Sequence, residues 1–345
     1  MSGREDDDIG EYFITTAFPP AAHMERVLAE LGEVASMTIR RLESRLNLRH
    51  SQIEKALKLL EIDGAVGREK GEYFRTPNPW SPDAVRVERV TAIRRNELAQ
   101  MQMYLEHDGC LMEFLTRALD DPTSEPCGRC ANEAGDRRPI APDPLLVERA
   151  TTFLRRDARP IPPRSQWPLG AVNGLSGRIR SPNQPGTALC VYGDAGWGRM
   201  VADGKYRDGR FDERLVAASA ELIGQRWRPE PRPTWITAIP SNKRPGLLGT
   251  FGSELAELLG LPFEEVLAVS DGPDQKEMEN SAQQLRNVAR KLTIVTPVPL
   301  GPVLLIDDIV DSRWTLTFAG WLLRQHGAGE VHPFALAVAS ARADT

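Results

Sequence analysis

The chain reads as a multidomain α/β protein, with helical modules first and a parallel sheet last. Three observations predict this. Val303-Leu304-Leu305-Ile306 is an unbroken apolar run, the pattern of a strand covered on both faces, with Asp307-Asp308 following where that strand should end. From about Ala188 onward, strand-like and helix-like segments alternate, as they do in α/β sheets. Before that point the apolar spacing is helical and cysteines cluster instead. The 345 residues, 41% hydrophobic, are enough for two or three domains with adequate cores. A formal net charge of −5 excludes a protein that is basic all over, so any function needing positive charge must be local. No stretch of about 18 apolar residues exists, so no spanning helix is expected. The polar, acidic start lacks the apolar core of a signal peptide, and a cytoplasmic protein is expected. Four cysteines in such a protein point to thiols or a metal rather than disulfides.

Proline and glycine mark the joints. Pro77 to Pro82 closes a first module, and Glu133 to Pro144 is a linker. Arg159 to Thr187 lacks periodicity and reads as an irregular or β connector. The expected divisions are 1–85, 86–135, 136–187 and 188–345.

In the first module, Met24, Val27, Leu28 and Leu31 share one helical face. A second helix is expected over Met37 to Leu46 and a third over Ser51 to Glu61, with Ile53, Leu57 and Leu60 inward. Arg68 to Arg75 then reads as a β-hairpin. Three helices and a hairpin in this order form a winged helix-turn-helix pattern, whose second motif helix usually enters a DNA groove. Ser36 to Arg75 holds nine Lys or Arg against six Asp or Glu, a local +3. Phosphate contacts need such cations, and Arg40, Arg41, Arg45, Arg49, Lys55, Arg68 and Lys70 are the candidates. A solvated basic face used for protein contact is the alternative.

The second module opens on a long helix over Arg94 to Tyr104, with Cys110 just beyond it. A helix over Leu111 to Leu119 follows, then Cys127-Gly128-Arg129-Cys130. A Cys-x-x-Cys knuckle plus a distant Cys supplies three of the four ligands that a structural zinc site needs. Cys190, in the apolar run Ala188 to Val191, reads as a buried core residue.

In the last module, Trp235 to Pro240 reads as a strand and Ser253 to Leu259 as a helix closed by Gly260. Backbone amides with Lys243 and Arg244 could hold pyrophosphate after that strand. Carboxyl ends of parallel strands are where such sheets bind ligands. The paired acids Asp307 and Asp308 suit ribose hydroxyls or a phosphate-bound Mg²⁺. The loop Asp311-Ser312-Arg313-Trp314-Thr315 leads into an amphipathic helix, and the whole reads as a pocket for a phosphorylated sugar.

Three family resemblances rest on these residues. The strand, the two acids and the loop resemble the PRPP-binding signature of type I phosphoribosyltransferases. On that resemblance Asp307 and Asp308 match the acids, and Ser312 and Thr315 match hydroxyl positions of the phosphate loop. Asp311 stands where Thr is usual, and Arg313 where Gly is usual. Gly204-Lys205-Tyr206, the Pro240 to Arg244 loop and a polar segment over Gln275 to Asn287, mobile in that family, resemble the ComF-like branch. The stretch from Arg94 to Cys130 resembles the zinc-binding subdomain of RecQ-type DNA helicases. It places Glu133 where that family has its fourth Cys, which implies a Cys110, Cys127, Cys130, Glu133 set for Zn²⁺, with His107 as another fourth ligand.

The order of modules resembles the C-terminal part of a bacterial RecQ-like helicase carrying a phosphoribosyltransferase-like tail. Neither a G-x-x-x-x-G-K-[ST] loop nor an Asp-Glu-x-His motif occurs, so this sequence cannot hydrolyse ATP by the P-loop route. The resemblance then implies a DNA-binding accessory region in repair or genome (phage) defence, with a motor supplied in trans or outside this sequence. Two other readings stay open. One is an active phosphoribosyltransferase using PRPP–Mg²⁺, and the other is a degenerate transferase fold used for docking or homo-oligomer formation.

Overall fold

The structure, a computed structural model, describes residues 4–135, 141–271 and 279–339. Its contacts divide the chain into two compact units, 1–39 with 51–142, and 40–50 with 143–345.

The N-terminal part runs α1 (Arg4–Thr15), α2 (Ala21–Gly32), α3 (Ile39–Arg45), α4 (His50–Ile62), β1 (Val66–Glu69) and β2 (Glu72–Arg75), then α5 (Ala84–Glu106), α6 (Leu111–Ala118) and α7 (Ala131–Ala134). Helix α2 buries Met24, Val27, Leu28 and Leu31, and α4 buries Ile53, Ala56, Leu57 and Leu60. These are the faces that helical spacing predicts. Strands β1 and β2 pair antiparallel through Lys70 and Gly71, both with positive φ (49° and 85°), as a tight hairpin requires. Helix α5 begins at the cap Asp83, whose side chain accepts from the Arg86 amide, well before the Arg94 start expected from spacing. It runs beside α1, tied by Arg95–Glu11 at 2.7 Å and Gln102–Asp7 at 2.9 Å.

The second unit adds α8 (Pro144–Arg156), β3 (Arg159–Ile161), β4 (Gly186–Val191), α9 (Gly198–Asp203), α10 (Glu213–Glu221), β5 (Trp235–Ala238), α11 (Leu247–Leu259), β6 (Leu267–Val269), α12 (Ser281–Lys291), β7 (Leu292–Ile294), β8 (Gly301–Val310), α13 (Trp314–Gln325) and β9 (Ala328–Val338). Helix α8 falls in the stretch read as connector. Its signal was Asp143, which caps the Leu145 amide, with Pro144 in the first turn. Five strands form one sheet in the order β3-β4-β9-β8-β5. Four of them are parallel, and β3 lies antiparallel on the edge, so the sheet is mixed.

Both faces of this sheet are covered, which explains the unbroken apolar run in β8. Val303 and Leu305 join the core that includes α12 and α13 residues. Leu304 and Ile306 join the opposite core with α9, α10 and α11 residues. All four are fully buried, each worth roughly 1.5–3 kcal/mol relative to exposure.

Strand β8 does not end at Ile306, as the sequence led one to expect. Its pairing with β9 continues through Asp307↔Ala335 and Ile309↔Ala337 to Val310. Its pairing with β5 stops at Ala238↔Ile306. The acids therefore lie inside the strand, on a stretch supported by the long β9 and left open on the β5 side. The chain leaving β8 passes to the α13 face, and the chain leaving β5 passes to the α11 face. A crevice at the carboxyl ends of two such strands is where open α/β sheets take ligands.

Residues 275–278 of the polar segment over Gln275 to Asn287 lie outside the described residues. Its later part is the start of α12. Asn280 caps that helix by accepting from the Gln283 amide at 2.9 Å. Its buried Nδ2 donates to the carbonyls of Glu43 (3.0 Å), Leu46 (2.6 Å) and Leu48 (2.8 Å). Arg286 donates to the carbonyls of Gly170 (2.8 Å), Ala171 (3.2 Å) and Ser44 (3.3 Å). Asn280 and Arg286, in the segment expected from the resemblance to be mobile, are thus clamps holding backbone. Buried carbonyls need such donors.

Candidate functional site

Two constellations stand out. The first is in the N-terminal unit. Cys110 caps α6 by accepting from the Glu113 amide and Cys130 stands just before α7, while Gly128 between the knuckle cysteines takes the left-handed backbone (φ 66°) that a tight knuckle needs. The ligand atoms of Cys110, Cys127, Cys130 and Glu133 lie within 4.8 Å of one another. Glu133 Oε2 is 3.2 Å from Cys127 Sγ and 3.3 Å from Cys130 Sγ, and it accepts from the Gly128 amide at 2.9 Å. Backbone amides already point at sulfur: Leu111 at Cys130 (3.4 Å), and Glu113 and Cys127 at Cys110 (3.4 and 3.2 Å). Such donors stabilise thiolates, the form that binds metal, although at Cys110 burial outweighs them and holds the thiol above its ordinary value. Burial pushes the Cys130 thiol up, but the amides of Leu111 and Glu133 outweigh it and bring it below its ordinary value. Hydrogen bonds from Cys110 and Cys127 hold the Glu133 carboxyl low. Three sulfurs and one carboxylate at these separations fit a tetrahedral ion with Zn–S bonds of about 2.3 Å. The cluster can hold a metal ion, through the four residues expected from the sequence. His107 is not among them; its ring packs on Phe114, centroids 5.1 Å apart.

The second constellation is at the crevice of the sheet. Side chains alternate along a strand, so Asp307 and Asp308 point to opposite faces. Asp307 is buried and accepts from the Asp308 amide at 2.9 Å. Burial first, then the neighbouring Asp308 charge, raises its carboxyl to about 8, so it is protonated at neutral pH. Asp308 Oδ1 accepts from the Ile309 amide at 2.6 Å. Its Oδ2 meets Lys205 Nζ at 2.6 Å, with both side chains largely buried. Lys205 stands in a π-helical turn over Gly204–Asp208, a local irregularity frequent at functional sites. The Arg244 Nε donates to the Lys205 carbonyl, and its guanidinium lies 4.5 Å from the Tyr206 ring centroid. The structure thus gathers Asp308 and Arg244 around Lys205, with Asp307 beside Asp308 on the other face of the strand. Sequence reasoning named Lys205 only as part of a motif; its Gly-Lys-Tyr setting was the signal.

Lys243 and Ser241 are exposed on the loop after β5, beside a cleft of about 370 Å³ lined by Ser241, Asn242, Arg244, Leu248 and Glu265. Asp311 is exposed, and Ser312 and Thr315 are half-buried at the start of α13. Arg313 takes the left-handed backbone at φ 66°, so the loop keeps the turn that a glycine would allow, at a cost of roughly 1–2 kcal/mol. Its side chain turns outward and donates to the Pro162 carbonyl at 3.1 Å. Arg164 completes a clasp, donating to the Ser312 carbonyl at 2.6 and 2.8 Å while lying 4.2 Å over the Trp314 ring. The Arg313 side chain is thus held on the Pro162 carbonyl.

The residues do not fit the Mg²⁺ that the diacid led one to expect. That ion demands near-octahedral oxygen ligands at about 2.0–2.1 Å. Here one carboxyl is buried and protonated, and both oxygens of the other are engaged.

The basic residues expected to contact DNA are differently placed. Arg40, Arg41, Arg45, Lys55, Arg68 and Lys70 are exposed. Arg49 pairs with Glu279 at 2.7 Å, Lys55 Nζ reaches the Thr16 carbonyl at 3.4 Å, and Arg68 lies over the Tyr73 ring. Cys190 is a buried core thiol, as expected. No described helix is long and apolar enough to cross a membrane.

No family profile matches the chain, and no curated protein matches it. The RecQ-type resemblance therefore has no counterpart among these comparisons. Among solved structures, the chain is similar to the adenine phosphoribosyltransferase of Leishmania tarentolae, 18% identical over 37% of this chain and 72% of that one, with a TM-score of 0.26. It is also similar to the adenine phosphoribosyltransferase of Leishmania donovani, 15% identical over 56% of this chain and 85% of that one, with a TM-score of 0.26. Likenesses this slight do not identify a family.

Two outcomes follow from the site geometry. Purified protein is expected to carry one zinc per chain by elemental analysis. Cys127→Ser should lose it, and Glu133→Cys should retain it longer against a chelator; metal-free wild type with unchanged melting would contradict this. For Asp307, the folded chain keeps a proton up to about pH 8 that the unfolded chain releases near pH 4. The stabilising contribution of that proton is complete below pH 4 and is lost as pH rises toward 8. Asp307→Asn should therefore gain stability over wild type progressively across this window, by at most about 1.4 kcal/mol per pH unit, and the gain should level off above it. Melting curves of both proteins from pH 4 to 9 give the difference directly.

Proposed function

We propose that the second unit binds a phosphorylated ribose, on a type I phosphoribosyltransferase-like framework, as a ligand-binding module rather than a turnover enzyme. One observation carries this reading: two carboxyl groups inside β8, past the end of its β5 partner, the second of them paired with Lys205 and backed by Arg244, at a crevice between diverging connections. Ribose hydroxyls would donate to the Asp308 carboxylate and exchange hydrogen bonds with the Asp307 carboxyl. The ligand's 5′-phosphate would meet the hydroxyls of Ser312 and Thr315 and the first amides of α13, a 12-residue helix whose N-terminus favours an anion. Lys205 and Arg244 would offset the ligand's charge. Arg244, one of the two cations expected to hold departing pyrophosphate, is instead held on the Lys205 carbonyl and Tyr206.

Calorimetry with PRPP tests this. Heat of binding is expected for wild type, weakened at least tenfold in the double variant Asp307→Asn/Asp308→Asn. An absence of heat with wild type, or equal binding by the variant, would sink the reading in favour of a docking role for the fold.

A second reading concerns nucleic acid, with the N-terminal helices and cysteine knuckle as accessory region of a RecQ-like helicase. The observation favouring it is the exposed Arg40, Arg41 and Arg45 on α3. If these meet phosphates, the slope of log affinity against log salt should shrink by about 2 in Arg41→Ala/Arg45→Ala. A slope identical to wild type in anisotropy titrations would remove it.

A further inference from the structure

Within the ribose-phosphate reading, on which this inference rests, Lys205 changes what the site requires. Lys205 Nζ lies 2.6 Å from Asp308 Oδ2, with the two side chains only 17% and 14% exposed. The other Asp308 oxygen accepts from the Ile309 amide at 2.6 Å. Asp307 is buried, with one oxygen on the Asp308 amide at 2.9 Å. The lysine is itself fixed from behind. Its carbonyl receives Arg244 Nε, Arg244 stacks on Tyr206, and Tyr206 meets Tyr192 edge to face, with centroids 6.5 Å apart. An ammonium held this way stands where a divalent ion would have to approach Asp308, and the two cations would repel at that distance. A lysine ammonium is a compact point charge with three donors. It can therefore satisfy the carboxylate and still present donors to ligand oxygens.

We infer that Lys205 replaces the divalent cation at this site, so that the protein binds a phosphorylated ribose without metal. The specificity that follows is for a ligand whose hydroxyls and phosphates are recognised directly, with no metal-bridged pyrophosphate needed.

Calorimetric titration with PRPP, in EDTA and in excess Mg²⁺, tests this on the full chain. Wild type is expected to bind within threefold of the same affinity in both conditions. Lys205→Met should bind at least tenfold more weakly in EDTA and recover in Mg²⁺, because Asp308 is then open to the ion. Lys205→Arg, which keeps the cation and serves if the Met variant does not fold, should stay independent of metal. Wild-type binding that requires Mg²⁺ overturns the inference and leaves the ribose-phosphate reading intact. Binding by Lys205→Met in EDTA that matches wild type overturns it as well. An absence of heat with wild type in both conditions removes the reading and the inference together.

Discussion

Strand β8 is covered on both faces and outlasts its neighbour, and the rest of the second unit depends on that pair of constraints. Its central residues must be apolar, since helices close over each face. Its last residues are still held to β9, so Asp307 and Asp308 are rigid where β5 no longer shields them. Rigid elements hold functional groups more accurately than loops do. The same burial makes two adjacent ionised carboxylates untenable. One keeps its proton, and the other takes the Lys205 ammonium. The chemistry of the crevice is therefore a direct result of where the strand's partners begin and end.

The cysteine cluster shows the opposite economy of structure. The helices around it bury little: α5, α6 and α7 contain no buried residue in their spans, apart from the cap Cys110 at the start of α6. What organises the segment is a set of amides directed at sulfur and one carboxylate directed at two thiols. Small modules with thin cores commonly depend on such cross-links. A short polar stretch can then hold a defined shape without contributing much apolar area.

Much of this was legible in the sequence, and the reasons differ from place to place. Helices α2 and α4 were readable because their inward residues recur at helical spacing. The four metal-ligand candidates were found because knuckle spacing is a local signal, with the fourth supplied by family resemblance. Asp307 and Asp308 stood out because charge after an apolar run is rare. The end of β8 was misplaced since strand length depends on β9, a partner not visible in the local pattern. Lys205 was overlooked as a site residue because its bond to Asp308 joins positions far apart in the chain. The roles of Asn280 and Arg286 were not legible because polar residues on a helix start look alike, whether they meet solvent, a phosphate or backbone carbonyls. Arg313 was a special case. Its side chain differs from the family's glycine, yet its backbone does not, and only coordinates separate those two statements.

Residues 40–50 group with the unit that otherwise starts at 143, and Asn280 ties their carbonyls to the start of α12. The second unit is thus discontinuous in sequence. A fragment cut at residue 143 to isolate the sheet would leave behind the eleven-residue excursion that its Asn280 and Arg286 were shaped to grip. Any recombination that exchanges the N-terminal helices for those of another protein would carry this excursion away with them.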